Sequence, residues 1–192
     1  MKYKITTSEF SLRLGRLISK SGKALTIKNG LQKANLVAKR KKPMCSWDVG
    51  LFVHAFTQGF GHVNEVVKWA SHFYSKGQPK NKHGEEVLNI WELIIQQAIP
   101  FKDFKEIRIS KYDGTTIFVL NKEGETAKRM GIEIDIFYPD SRKNINENDL
   151  LIEDYFVIHP SFLSKIIDII NPIKEDLITV SSCSDLWYKE KV

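Results

Sequence analysis

Glu133 and Asp135 stand two residues apart in the alternating stretch Ile132 to Tyr138, with Asp140 just past it and Arg142-Lys143 beyond. Positions two apart on a strand share a face, so the two carboxylates form a pair of oxygen donors with Asp140 at the strand's end. Carboxylates about 4 Å from one another can hold Mg²⁺, which polarises a phosphate and activates water, while a nearby cation offsets the charge. Read for chemistry, Glu133, Asp135 and Asp140 are the catalytic candidates of a Mg²⁺-dependent nuclease, and Glu133 and Asp135 are its metal ligands. A solvated polar face on a half-buried strand explains the same letters.

The stretch is similar to the carboxylate-bearing strands of restriction-like nucleases. It departs from them in lacking the E-x-K or D-x-K triplet after Glu133, for which Arg108 is only a loose substitute. A second constellation is His62, Glu65, Trp69 and His72, which recur at helical spacing beside an apolar stripe of Val63, Val66, Val67 and Ala70. Two His and one Glu are a zinc or iron donor set. Ten residues nevertheless separate His62 from His72 by about 15 Å along a helix, so they cannot share one ion directly. His54 reads as a hydrogen-bonded, partly buried histidine. Cys45 and Cys183 have no CxxC or CxxH neighbour and read as free thiols, with Cys183 a possible nucleophile. No P-loop, GxGxxG or kinase motif is present.

Charge is the stronger signal. Residues 1–43 carry twelve bases, Lys2, Lys4, Arg13, Arg16, Lys20, Lys23, Lys28, Lys33, Lys39, Arg40, Lys41 and Lys42, against Glu9 alone, a formal +11. The remaining residues carry 17 bases and 22 acids, or −5, which together make the net +6 of the 192-residue chain. Such asymmetry marks a polyanion-facing segment attached to an ordinary acidic body. The residues from Arg13 to Lys42 in that set are the nucleic-acid-binding candidates, and the bland alternative is a solvated helical face. Phe73-Tyr74 beside Lys76, Lys80 and Lys82, and Trp187-Tyr188 beside Lys189, place aromatic faces next to cations, a combination that suits single-stranded bases or docking onto a core.

The elements that must position these groups follow from periodicity. Thr6 and Glu9 have capping-box spacing, and Phe10, Leu14, Leu17 and Ile18 mark a first amphipathic helix ending at Gly22, with Arg13, Arg16 and Lys20 on its outer face. Lys23 to Lys28 alternates weakly, Asn29-Gly30 is a turn signal, and Leu31 to Lys42 reads as a helix, an arrangement that admits a helix–turn–helix. Ser46 caps an apolar helix, Trp47 to Phe56. Further helices run from the Gly59-Phe60-Gly61 break to Tyr74 and over Glu85–Ala98, the latter with acids in its first turn. Period two then takes over. Asp113-Gly114 is a type I′ turn signal that pairs Ile109 with Phe118 and Ile107 with Leu120. Ile132, Ile134, Ile136 and Tyr138 form the apolar face of a third strand. Tyr155–Ile158 and Asp176–Val180 read as strands, and Pro160–Ile170 as a helix.

Helices followed by strands give an α+β fold: a helical N-terminal half, a small antiparallel sheet of a β-hairpin plus a third strand, and a C-terminal helix. Residues 1–43 form a basic helical segment and 44–192 a single α+β body. At 42% apolar residues with two cysteines, the composition excludes a disordered tail, a collagen and a disulfide mini-protein. With no apolar run of signal-peptide or membrane length, a cytoplasmic protein without a membrane partner is expected. The functional expectation is a small nucleic-acid-associated protein, DNA more than RNA, with Mg²⁺-dependent cleavage an added option. The alternative is a viral or phage-type assembly or regulatory protein without catalysis, in which the basic segment neutralises packaged genome or engages a protein partner. Lys-, Ile- and Asn-rich usage resembles that of AT-rich genomes, many phages among them.

Overall fold

Alternation begins at the first residues. The computed structural model describes residues 2–37, 42–75, 78–111, 118–122, 134–138 and 154–170. In it Lys2–Thr6 is a strand, β1, that buries Tyr3 and Ile5 and exposes Lys2 and Lys4. It pairs antiparallel with β2, Pro43–Cys45. The helices are α1 (Thr7–Leu17), α2 (Ser21–Lys33), α3 (Ser46–Thr57), α4 (Val63–Ser75), α5 (Val87–Ile95) and α6 (Pro160–Ile170). Between α5 and α6 lie β3 (Phe104–Ser110), β4 (Phe118–Lys122), β5 (Ile134–Phe137) and β6 (Tyr155–Ile158). These four strands form one antiparallel sheet in the order β5-β4-β3-β6. The fold is α+β, helical first and then a sheet closed by a C-terminal helix.

α3 is the centre of the molecule. All twelve of its residues are buried, because a helix apolar on every side must be covered on every side. α5 and α2 flank it, and His54 of α3 stacks on Phe118 of β4. Phe10, Leu14, Ile27 and Leu31 join the same cluster, so the basic segment is part of the core rather than a detached arm. Cys45, not Ser46, is the N-cap of α3: its N–H donates to Asp48 Oδ2 (2.9 Å) while its side chain accepts from the Asp48 N–H.

The β3–β4 register places Ile107 opposite Leu120 and Ile109 opposite Phe118, the pairing that a two-residue loop at 113–114 requires. The turn itself lies outside the described residues, as does 176–180. The third strand corrects the expected face. Phe118 opposes Phe137, whose ring packs edge-on against it at 5.4 Å. Phe137 is fully buried whereas Ile136 and Tyr138 are partly exposed. An aromatic ring packed against Phe118 outweighs the aliphatic neighbours on either side, so Phe137 takes the core side at this end of the strand.

The first helical region also differs from expectation. α1 stops at Leu17, α2 runs straight through Asn29-Gly30, and α2 ends at Lys33 rather than Lys42. Gly30 is there for packing: a Cβ at this position would overlap Val66 Cβ of α4. Leu17 is 37% exposed, and α1 approaches α2 instead at Gly15, where a Cβ would meet Ser21 and Ala24. The helix stops are set by left-handed residues just past their ends. Ser19, Asn35 and Gln97 have φ of 53°, 59° and 58°, and the N–H groups of Lys20, Leu36 and Ala98 each bond a carbonyl five residues back (2.9 Å), the Schellman arrangement. α5 is shorter than expected, leaving Glu85 in the loop before it and no acid in its first turn. Among the described residues no helix is long and apolar enough to cross a membrane.

Two glycines of α2 are expected to respond oppositely to alanine. Gly22→Ala, with nothing near its missing Cβ, should stabilise the protein by roughly 0.5 kcal/mol through helix propensity. Gly30→Ala should destabilise it by about 2 kcal/mol through overpacking against Val66. Urea titrations of both variants measure this, and stabilisation by both would refute the α2–α4 contact.

Candidate nucleic-acid interface

The basic face is built on α1, α2 and the three residues between them. Thr6 and Glu9 form the anticipated capping box: the Glu9 N–H donates to Thr6 Oγ1 (3.2 Å) and the Thr6 N–H to Glu9 Oε2 (2.9 Å). The Thr6 backbone bond, then that from its hydroxyl, holds the Glu9 carboxyl below its ordinary pKa. The one acid of the segment is therefore engaged in starting α1.

The candidate cations divide into two groups. Arg13 Nη1 donates to the Ile169 carbonyl (3.2 Å) at the end of α6, where a cation also meets the negative end of the helix dipole. Lys33 Nζ donates to Asn64 Oδ1 (3.1 Å) on α4. Lys23 lies over the Phe56 ring at 4.8 Å, and burial, then the charge of Lys20, lowers its pKa. These three hold the fold together. Among the described residues the side chains of Arg16, Lys20 and Lys28 make no hydrogen bond or ion pair, and Arg16 and Lys20 are exposed. Lys42 is exposed at the start of the chain leading into β2, and Lys39, Arg40 and Lys41 lie outside the described residues. Leu12 and Leu25, both 50% exposed, share the surface of this helix pair.

The other constellations resolve differently. Glu65 Oε2 accepts from the N–H groups of Gly61 (2.7 Å) and His62 (3.2 Å), so it caps α4. Trp69 packs on Phe60 and Phe73. Among the described residues no group of three His, Cys, Asp or Glu is placed to hold a metal. Glu133 and Asp140 lie outside the described residues, and the backbone of Asp135 sits in β5 opposite Leu120. Cys45 is buried and forms no disulfide among the described residues, and Cys183 falls outside.

Two buried titratable groups, neither a surface ligand, sit on α3. His54 is fully buried, more deeply than expected, and its Nδ1 accepts from Trp91 Nε1–H (2.9 Å). Burial lowers its pKa to about 3. Asp48 is 3% exposed, and burial pushes its carboxyl up to about 6 against the bonds from Cys45, with the negative charge of Glu92 adding to the rise. An aspartate inside an apolar segment was the only sequence sign of this group. Comparisons with protein-family models, with curated proteins and with solved structures find no match.

The two groups oppose one another in the pH dependence of stability. The unfolded chain protonates His54 near 6.5 while the folded one stays neutral to about 3. Stability from this source is complete above 6.5 and falls as pH drops, roughly tenfold in the folding equilibrium per unit. Asp48 holds a proton in the folded state between about 4 and 6, so its contribution falls as pH rises through that window. Asp48→Asn removes the second slope. Relative to wild type, the variant should gain about 2 kcal/mol between pH 4 and pH 7. Parallel curves of unfolding free energy against pH would mean that Asp48 titrates normally.

Proposed function

We propose that this protein associates with nucleic acid, DNA more than RNA, through the α1–α2 face and the basic run that follows it. The observation that carries this reading is the set Arg16, Lys20 and Lys28, cations without a protein partner among the described residues. They lie in a segment of formal charge +11 whose one acid caps a helix. Like charges held close repel, as the effect of Lys20 on Lys23 shows. A row of phosphates relieves that repulsion and releases counterions. The proposal is one of binding, and the strand carboxylates have no part in it.

With about six phosphates neutralised, log K for duplex DNA should fall against log salt with a slope of about −5. Arg16→Glu together with Lys20→Glu should flatten the slope by two or more, roughly one per lost phosphate contact. Lys105→Glu, on the exposed start of β3, should leave it unchanged. Arg13→Ala should instead lower the melting temperature, since its partner is the end of α6. A slope near zero for the wild-type protein removes the reading.

A further inference from the structure

We infer that α2 is a reading helix, which lies in the major groove of B-form DNA and contacts base edges through Leu25, Lys28 and Asn29. The inference rests on the nucleic-acid reading and adds an element, a groove and a set of base contacts to it. The buried side of α2 is Ala24, Ile27, Gly30 and Leu31, packed against α1, α3 and α4. The opposite side carries Leu25 and Asn29, both exposed, with Lys28 at its margin and Gln32 one turn further on.

Residues 25, 28, 29 and 32 stand at i, i+3, i+4 and i+7, one face of a helix over two turns. Seven residues rise about 10 Å, the span of about three base pairs at 3.4 Å each. The side-chain chemistry fits what a major groove displays. The Asn amide offers a donor and an acceptor in one plane, matching adenine N6 and N7. A Lys ammonium donates to guanine O6 and N7, and an apolar side chain covers a thymine methyl. Leu25 is 50% exposed, an apolar group that the fold leaves in water on this face.

Charge complementarity selects the occupant. Arg16 precedes α2 by one short turn, Lys20 is its N-cap, and its first turn contains no acid. Cations therefore stand at the end of the row, where a helix entering the groove meets the phosphate backbone. Duplex RNA does not suit the same surface, because the A-form major groove is too deep and narrow for side chains to read. An acidic protein surface matches the charge but gives Asn29 no specific role.

Selection from a pool of random DNA duplexes with the full chain, followed by fluorescence anisotropy, tests this. An enriched motif of two to four base pairs containing an adenine is expected. Asn29→Ala should then weaken binding to the enriched duplex roughly tenfold or more, with the melting temperature, the affinity for a scrambled duplex and the salt slope unchanged. Asn89→Ala, exposed on α5, should change none of these. Salt-dependent binding without enrichment overturns the reading helix and leaves the proposed function standing. So does equal weakening of both duplexes by Asn29→Ala, or equal affinity for duplex RNA. Absence of salt-dependent binding to any nucleic acid removes both.

Discussion

A helix with no side facing solvent constrains everything placed around it. Because every residue of α3 is buried, each of its polar groups must find a partner inside the protein or lose several kcal/mol of hydration uncompensated. Asp48 binds the N–H of Cys45, Thr57 Oγ1 donates to the His54 carbonyl (2.7 Å), and His54 Nδ1 takes the Trp91 indole N–H. These contacts fix the ends and the middle of α3. The covering elements follow from the same demand: α5 brings Trp91, β4 brings Phe118 and α2 closes another side. The basic helix pair is therefore one wall of the core.

That placement decides which cations remain open. A charge near a core wall is retained at low cost if its head stays in water or meets a helix end or an aromatic face. Arg13 reaches the end of α6 and Lys23 the Phe56 ring, while Lys33 ties α2 to Asn64 of α4. Each draws its element toward a neighbour. Arg16 and Lys20 have no such neighbour among the described residues, and solvent screening over about 8 Å keeps their mutual repulsion tolerable. The same sequence feature, a run of Lys and Arg at helical spacing, thus produces both mortar and open charge, and only packing separates them.

Local signals were legible where local physics decides. The Thr6–Glu9 capping box, the register of Ile107 and Ile109 across β4, and the span Pro160–Ile170 depend on residues within one element or one hairpin, and the sequence displays them. The misreadings share a cause. Asn29-Gly30 carries the letters of a turn, yet Gly30 is the point where Val66 of α4 presses against α2, and that neighbour is 36 positions away. Phe137 wins the core side of β5 through its ring contact with Phe118, although the Ile row around it is longer. Tyr3 and Ile5 alternate over too few residues to announce β1 without knowledge of β2. The candidate face was legible as charge but not as geometry: Asn29 shares a side with Leu25 only once α2 is known to run through Gly30.

Affinity and discrimination place different demands on such a face. Phosphate attraction is long-ranged and tolerant of geometry, so Lys and Arg on a loose arm would supply it. Reading a base edge is short-ranged, because an amide must meet N6 and N7 within hydrogen-bond distance, and a helix that rocks by an ångström loses the match. On the proposed reading, the rigidity required comes from the core side of α2. Gly30 lets α2 and α4 approach until Val66 leaves no slack, Lys33 bonds across to Asn64, and Asn35 ends the helix at a fixed point. The residues that seat α2 against the core would thus set how sharply its outer row discriminates, while the charges of α1 and the turn set how tightly it holds.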